Sequence, residues 1–393
     1  MSNSINRRSA LKKSVLSLGS LSILPSLGFA NSPERAPLST SNESSSSILF
    51  KEHTAPVKAK LIAKLNANEN PYGPSPKAIE ALKSAAVSGN RYGWKTLSDL
   101  VGLLSEKEGV SADHIMMGPG SSDLLEKFGL VLFMNGGNIV SADPSYMSMM
   151  NVAKSVGAEW KGVPLKKDWS HDLDAMEAAI DKDTKLVYIC NPNNPTGTIT
   201  SYKALKDFCS RVSERVPIFI DEAYLEFVDG PDGKSMVSLL AEKKNVIVAR
   251  TFSKIHGMAG LRVGYVAALP STLEQIQKIT RGGMGITVTS IDAAIASFKD
   301  LEFQELSKKR NKEARDFTYK KLQELGYEPV ASQTSFMIFP QKELEGKEFL
   351  KRMSAEGVGV RSFEFMDKTW CRVSMGTLNE MELFISALNK VIG

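Results

Sequence analysis

Short apolar runs alternate with amphipathic stretches along most of the chain, from about residue 60 to about residue 285. Residues 185–190 are almost wholly apolar, which is typical of a central strand buried on both faces, and a polar helix is predicted directly after them. The other predicted strands are residues 114–117, 138–142, 218–220, 246–249 and 261–268, with helices at 123–133, 146–156 and 202–214. Such alternation predicts an α/β domain with a mostly parallel central sheet.

The pattern changes after about residue 285. A long charged helix is predicted at residues 300–325, a strand at 336–339, and a last helix at 380–391. These elements predict a second, smaller α+β domain.

The net charge of +5 is unevenly distributed along the chain. Four of the 49 basic residues lie in the first 30 residues, which contain no acidic residue, so the remainder carries 45 basic and 44 acidic residues. A balance so close to zero is not the electrostatic signature of a nucleic-acid-binding protein. Three scattered cysteines and four histidines without ligand spacing favour neither a disulfide framework nor a metal site.

The first 30 residues have the pattern of a targeting segment. Arg7 and Arg8 are followed by Leu11 and Lys12, and then by a weakly apolar stretch that ends in small residues near Ala30. This resembles a Tat signal peptide, although Ala10 stands where that motif usually has Phe. The segment is too short and too polar for stable membrane insertion. We therefore expect a signal at residues 1–30, a Ser-rich linker and N-terminal arm at 31–64, export by the Tat machinery, and a periplasmic protein.

The first candidate motif is the strand-to-helix turn at residues 118–123, GPGSSD. Ligands of open α/β sheets bind at the carboxyl ends of strands, and glycines before a helix N-terminus let the backbone approach an anion. An ordinary turn capped by serine would explain the same residues. The turn also partly matches a dinucleotide-binding fingerprint, but Asp123 replaces its third glycine.

Three further motifs follow predicted strands. Residues 191–197, NPNNPTG, form a rigid non-helical turn, which is either functional or purely structural. Residues 221–224, DEAY, place a carboxylate at the end of a buried strand, where it is costly unless paired, although a capping Asp is common. In residues 251–254, TFSK, Lys254 is either a phosphate ligand or a nucleophile with a depressed pKa. The chain lacks the glycine-rich P-loop pattern.

In this order the four motifs resemble those of the fold-type-I aminotransferases, most closely the histidinol-phosphate aminotransferase branch. The resemblance extends from about Leu65 to the C-terminus. It implies the PLP-transferase fold of type I, with a large cofactor-binding domain at residues 89–284 and a smaller domain built from residues 65–88 and 285–393. It also implies a pyridoxal-phosphate-dependent enzyme that moves an amino group from a small-molecule donor to a 2-oxo acid.

The resemblance assigns roles to individual residues. Lys254 would carry the cofactor as a Schiff base and then move the proton during catalysis. Asp221 would pair with the pyridine nitrogen, Tyr224 and Asn194 would bind the 3-oxygen of the ring, and Tyr146 would stack on the ring. The residues that would hold the phosphate are Gly120, Ser121, Ser122, Thr251, Ser253 and Arg262.

The resemblance also assigns residues to the substrate and to a second subunit. Arg372 would clamp the α-carboxylate of the substrate, with Asn194 in the same set. Arg361 matches a second substrate-side arginine, although a solvated surface arginine is the alternative. Tyr92 matches a tyrosine that reaches the phosphate from the neighbouring subunit, which implies a homodimer with shared active sites.

The substrate is less well indicated than the cofactor. Residues 55–57, Ala-Pro-Val, lack the tyrosine that histidinol-phosphate enzymes usually carry in this arm, and Ser335 stands where Asn is common. Histidine synthesis is also cytoplasmic, whereas the N-terminus predicts export. Histidinol-phosphate transamination, and decarboxylase, racemase or lyase chemistry with the same cofactor, therefore stay open. A non-catalytic binding protein is disfavoured because Lys254, Asp221 and Arg372 are all present.

Overall fold

The structure is a computed structural model that describes residues 51–53, 61–342 and 344–392. The predicted signal at residues 1–30 and most of the predicted linker and arm lie outside the described residues. The strands are β1 Lys51–His53, β2 Ala63–Lys64, β3 Ile115–Gly118, β4 Asn138–Asp143, β5 Glu159–Pro164, β6 Thr184–Cys190, β7 Ile218–Asp221, β8 Val246–Thr251, β9 Gly264–Ala268, β10 Phe336–Pro340, β11 Val358–Gly359, β12 Arg361–Phe365 and β13 Lys368–Ser374.

The α-helices of the same residues show ordinary start and stop signals. The first begins after Ser75, whose side chain accepts a hydrogen bond from the Ala78 N–H, and the second ends at Gly109 in the left-handed conformation. The helices are α1 Pro76–Ala85, α2 Trp94–Glu108, α3 Ser121–Phe133, α4 Ser148–Ser155, α5 Leu173–Ala178, α6 Tyr202–Val212, α7 Pro270–Gln277, α8 Val288–Lys299, α9 Leu301–Glu324, α10 Gly346–Ala355 and α11 Leu378–Ile392.

The larger sheet has seven strands in the order β3-β9-β8-β7-β6-β4-β5. Strands β5, β4, β6, β7 and β8 pair in parallel, whereas β9 is antiparallel to both β8 and β3. The prediction of a mostly parallel sheet is therefore confirmed. The parallel register places Cys190 beside Asp221, and Asp221 beside Ala249. The ends of β6, β7 and β8 thus lie next to one another, and all three precede a motif.

Both faces of this sheet are buried. In β6, Val187 and Ile189 belong to one core cluster, whereas Leu186, Tyr188 and Cys190 belong to the cluster on the other face. This alternation follows from the two-residue period of a strand, and helices cover each face, as expected for parallel strands.

A second, antiparallel sheet has the order β1-β12-β13-β10, and a separate parallel pair joins β11 to β2. Residues of α9, α10 and α11 share one buried cluster with side chains of β10 and β13. Helices that pack on an antiparallel sheet form an α+β layer, which agrees with the α+β elements predicted after residue 285.

The packing differs from the predicted domain boundaries at two helices. Ala78 of α1 and Ile291, Ala293 and Ala294 of α8 are buried in a core cluster of the seven-stranded sheet, although both helices lie within ranges predicted for the smaller domain. The two helices also pack against each other. Each helix buries its apolar face against the apolar surface that is nearest in space. Here that surface belongs to the larger sheet, although both helices lie in sequence ranges predicted for the smaller domain.

Two local differences from the predicted elements have clear causes. Strand β9 begins at Gly264 and not at residue 261, because Leu261 ends a 3-10 turn and Arg262 has a positive φ of 54°. Strand β5 was not predicted, because it lies at the edge of the sheet and only Val163 of its six residues is buried. Such an edge strand lacks the apolar run that indicates a central strand.

Within residues 51–53, 61–342 and 344–392, no helix is long and apolar enough to cross a membrane. Over that part of the chain there is also no group of three or more His, Cys, Asp and Glu side chains that could hold a metal ion. Cys190, Cys209 and Cys371 are buried free thiols.

Candidate active site

A cavity of about 450 Å³ lies at the carboxyl ends of β6, β7 and β8. It brings together residues of all four motifs and of β12 and β13, which belong to the antiparallel sheet. The predicted site residues that line it are Ser121, Ser122, Tyr146, Asn194, Asp221, Tyr224, Thr251, Ser253, Lys254, Arg262, Arg361 and Arg372.

The N-terminus of α3 and the Arg262 side chain form an anion-binding corner of the cavity. Gly120 caps α3 with a φ of 87°, and no side chain caps the free N–H groups of the first turn. A Cβ atom at Gly120 would collide with the Arg262 guanidinium, so the backbone and the guanidinium lie in direct contact. A helix N-terminus, a guanidinium and the hydroxyls of Ser121 and Ser122 together suit a phosphate.

Lys254 lies partly buried in the cavity. Its Nζ donates to the Asn68 carbonyl at 3.0 Å and lies 5.4 Å from the centre of the Tyr224 ring. Burial disfavours the ammonium form, and the positive charge of Arg372 acts in the same direction, so the pKa of Lys254 falls to about 8. An amine with this pKa is available as a nucleophile and as a proton carrier near neutral pH.

Asp221 ends β7 and is only 3% exposed. One carboxylate oxygen accepts from the Tyr188 hydroxyl at 3.1 Å and the other from the Ala223 N–H at 3.1 Å. Burial raises the pKa of Asp221 to about 6, and these two hydrogen bonds partly oppose that rise. Since Asp221 lines the cavity, a cationic N–H group of a ligand would stabilise its charged form.

Tyr224 is buried, and its hydroxyl accepts from the Asn68 Nδ2 at 3.1 Å. Burial raises the pKa of Tyr224, so the phenol keeps its proton at neutral pH and can donate it in a hydrogen bond. Asn68 is held in turn by Ser374, whose hydroxyl donates to the Asn68 Oδ1 at 2.8 Å. The position of the phenol is therefore fixed from both sheets.

Two arginines, one on β12 and one on β13, line the cavity. Arg372 Nη1 donates to the Asn194 Oδ1 at 2.7 Å, and the guanidinium lies between the rings of Phe336 and Phe363, at 5.3 and 5.2 Å. Arg361 is the direct neighbour of Arg372 across the β12–β13 pair. Two adjacent guanidinium groups can bind a carboxylate or a phosphate through paired hydrogen bonds.

Two predicted cofactor residues do not line the cavity. Gly120 contributes its backbone just beneath it, as described above. Tyr92 is 80% exposed and lies against Trp94, with ring centres 5.5 Å apart. Its predicted role in a second subunit stays a prediction.

Sequence analysis missed Asn68, Tyr188 and Glu69 as site residues. Asn68 and Glu69 belong to an irregular segment without hydrophobic periodicity, so no pattern pointed to the cavity. Tyr188 had a signal that was not used: it lies two residues before Cys190, and therefore on the same face of the sheet as Cys190 and Asp221.

These residues fit pyridoxal phosphate. The corner at Gly120 and Arg262 suits the phosphate, Asp221 suits a protonated ring nitrogen, Tyr224 can donate to a ring oxygen, and Lys254 supplies the amine. The fold and the site together define an enzyme of the pyridoxal-phosphate class.

Residues 60–388 match the family of class I and II aminotransferases, so the chain belongs to this family. It is 37% identical over 332 residues to a histidinol-phosphate aminotransferase of Akkermansia muciniphila, with 84% of this chain and 90% of that protein covered. It is 36% identical over 339 residues to one of Moorella thermoacetica, with 84% and 86% covered.

A crystal structure of the histidinol-phosphate aminotransferase of Sinorhizobium meliloti in complex with pyridoxal-5'-phosphate is similar over 85% of this chain and 91% of that chain, with a TM-score of 0.79 and 28% identity. The predictions of the fold class, the cofactor and a pyridoxal-phosphate-dependent aminotransferase are thereby confirmed.

Proposed function

We propose that the protein transfers the amino group of an amino acid, or of an amino-acid-like amine, to a 2-oxo acid. The observation that carries this proposal is the buried Arg372–Asn194 pair, which shares one cavity with the Lys254 amine. An arginine oriented by an amide is suited to hold a carboxylate, and two substrates that bind in turn would both present one.

Asp221, Tyr224 and Lys254 have different roles in such a transfer. Bound pyridoxal phosphate supplies an electron sink for the electrons released at the substrate Cα. Asp221 would hold the ring nitrogen and favour its protonated form through its negative charge, and the protonated Tyr224 phenol would donate a hydrogen bond to the ring oxygen. The Lys254 Nζ, with its pKa of about 8, accepts and returns a proton near neutral pH.

A panel of amino acids tested against the purified protein would examine this proposal. An amino donor alone should change the visible absorbance of the bound cofactor, and a 2-oxo acid added afterwards should restore it. Release of carbon dioxide, or racemisation without formation of an oxo acid, would instead assign decarboxylase or racemase chemistry. No spectral response to any donor would contradict an amino-acid substrate.

Histidinol phosphate is the second candidate substrate, and the adjacent Arg361 and Arg372 favour it because two guanidinium groups suit a phosphate dianion. The relatives named above carry that activity in their names. Histidinol, which lacks the phosphate, is the matched control. A kcat/KM for histidinol phosphate about 100-fold or more above that for histidinol would support the candidate, since two charge-assisted hydrogen bonds contribute about 3 kcal/mol or more. Equal values would exclude phosphate recognition.

We further propose that the enzyme is exported by a Tat-like route and acts in the periplasm. The twin arginine at Arg7 and Arg8 supports this, since that route carries folded cargo and would allow export with the cofactor already bound. Replacing both arginines by lysine should retain the protein in the cytoplasm in cell fractionation. A wild-type protein confined to the cytoplasm without processing would contradict the proposal.

A homodimer with shared active sites is proposed from Tyr92. The residue is 80% exposed, which leaves its side chain accessible to a second copy. Light scattering should give the mass of a dimer, and Tyr92→Phe should weaken cofactor retention by about 1.5–3 kcal/mol, the contribution of one charge-assisted hydrogen bond. A fully active monomer would contradict the shared site.

A further inference from the structure

A buried cluster of charged side chains lies on one face of the seven-stranded sheet, opposite to the face that carries Tyr188 and Cys190. In β8, Ala249 packs into the same core cluster as Tyr188 and Cys190, so Arg250 points to the other face. The Arg250 Nη1 donates to the Glu222 Oε2 at 3.0 Å, and its Nη2 donates to the Glu226 Oε1 at 2.7 Å. The side chains of Arg250 and Glu222 are 7% and 2% exposed. One guanidinium thus binds two carboxylates away from water.

The two carboxylates flank Tyr224 in sequence, two residues on either side. The backbone between them is folded into a tight turn, in which the Leu225 N–H donates to the Glu222 carbonyl and the Phe227 N–H to the Tyr224 carbonyl, both at 3.1 Å. The Glu222 N–H also donates to the Ala249 carbonyl at 3.0 Å. Arg250 therefore binds both ends of the turn that contains Tyr224.

Arg250 is also close to Lys254 along the chain. Arg250 immediately precedes Thr251, and the chain continues through Ser253 to Lys254. Asp221, which immediately precedes this turn, is paired with Ala249 of β8. One side chain thus connects the segment with the carboxylate and the phenol to the strand that leads to the amine.

Buried ion pairs contribute little net stability compared with apolar side chains of similar volume, so stability alone does not explain this cluster. A planar guanidinium with two fixed carboxylates, in contrast, sets distances and angles that an apolar contact would not. We propose that Arg250 is a positioning residue, which acts through Glu222 and Glu226 to hold Tyr224 and Asp221 at the correct distance from Lys254. This inference depends on pyridoxal-phosphate binding and is independent of the substrate.

The charged surroundings of the cluster have to remain intact in any test. The Tyr265 hydroxyl donates to the Glu108 Oε1 at 2.5 Å, and the positive charge of Arg250 lies near both groups. Lys107 and His256 also lower the pKa of the Glu226 carboxyl group through their charges. Arg250→Lys keeps the positive charge among these groups but removes the fork, because one ammonium is a point charge that does not reproduce the planar bidentate geometry.

The experiment compares Arg250→Lys and Glu226→Gln with Ile247→Val in the holoenzyme without substrate. Ile247 is fully buried in the same strand but faces the other side, so its variant is the control for a general loss of packing. Two quantities are measured: the cofactor Kd, and the pH midpoint at which the absorbance of the lysine-bound cofactor changes. A thermal melt records stability in parallel.

If Arg250 positions Tyr224, Arg250→Lys should raise the cofactor Kd about tenfold and move the absorbance midpoint upward by about half a pH unit, since a weaker hydrogen bond to the ring oxygen favours the protonated form. Glu226→Gln should change both quantities in the same direction by a smaller amount. Ile247→Val should lower the melting temperature and leave both unchanged.

The inference is overturned if Arg250→Lys loses thermal stability but keeps the wild-type Kd and midpoint, as the control does. If Arg250→Lys does not fold, Glu226→Gln decides, and an unchanged midpoint in that variant overturns the inference equally. A wild-type protein without any cofactor absorbance would instead refute the pyridoxal-phosphate assignment, which keeps the two failures distinct.

Discussion

Replacing Gly120 by alanine should impair cofactor binding far more than it impairs folding. The new methyl group would collide with the Arg262 guanidinium and push it away from the anion-binding corner. The Gly120 backbone, with φ 87° and ψ 157°, lies in a region that is adopted almost only by glycine, so alanine there adds backbone strain of about 1–3 kcal/mol. Losing one or two charge-assisted hydrogen bonds to the phosphate costs about 3 kcal/mol more, which corresponds to a cofactor Kd raised roughly 100-fold.

Gly109→Ala is the matched control for this variant. Gly109 also has a positive φ, 68°, but nothing lies within 4 Å of a Cβ added there, and it ends α2 away from the cavity. It should therefore show the backbone strain alone, as a lower melting temperature of the apoprotein with normal cofactor affinity. Cofactor Kd by fluorescence titration, and thermal melts of the apoproteins, separate the two effects. If Gly120→Ala bound the cofactor within about twofold of wild type, the assignment of the phosphate to this corner would be refuted.

Four further predictions concern the reacting centre. Lys254→Ala should abolish turnover while the folded protein still binds the cofactor through phosphate and ring contacts; near-wild-type transamination would contradict the assignment. Asp221→Asn should retain the cofactor but lose most of the rate, because a neutral amide does not hold the proton on the ring nitrogen, and stopped-flow kinetics would measure this. The rate of cofactor capture by the apoprotein should rise with pH and level off above about 8, where the Lys254 amine becomes neutral. Arg372→Leu should move that midpoint upward, since it removes a positive charge that lowers the pKa of Lys254; an unmoved midpoint would show that burial alone sets it.

The candidate motifs could be located from sequence because they come at the ends of strands of one mostly parallel sheet, and the family resemblance then assigned their roles. Residues that end neighbouring parallel strands lie close together, as Asp221 and Ala249 do in their shared register. Lys254 follows β8 after a short turn, so it lies near the same edge of the sheet as Asp221, which ends β7. Each of these motifs combines a strand signal with a chemically unusual residue.

Asn68 could not be predicted in the same way. It contacts Tyr224, which is 156 positions away, and Ser374, which is 306 positions away, and its own segment has no strand or helix period. Hydrophobic patterning determines which face of an element is buried, but it carries no information about which irregular segment returns to the site. The same limitation applies to α1 and α8, for which the sequence analysis predicted no element and whose buried side chains share a core cluster with strands of the seven-stranded sheet.

The two sheets supply different halves of the site, and this division explains why the cofactor was easier to infer than the substrate. Asp221 and Lys254 follow strands of the seven-stranded sheet, whereas Arg361 and Arg372 lie on β12 and β13, where no motif surrounds them. The hydrogen bond from Arg372 to Asn194 joins the two halves, as does the bond from Ser374 to Asn68. On the proposed roles, substitutions on β12 and β13 should change the substrate preference without altering Asp221 or Lys254. Asn194 and Asn68 are therefore the side chains through which these hydrogen bonds hold the two halves together.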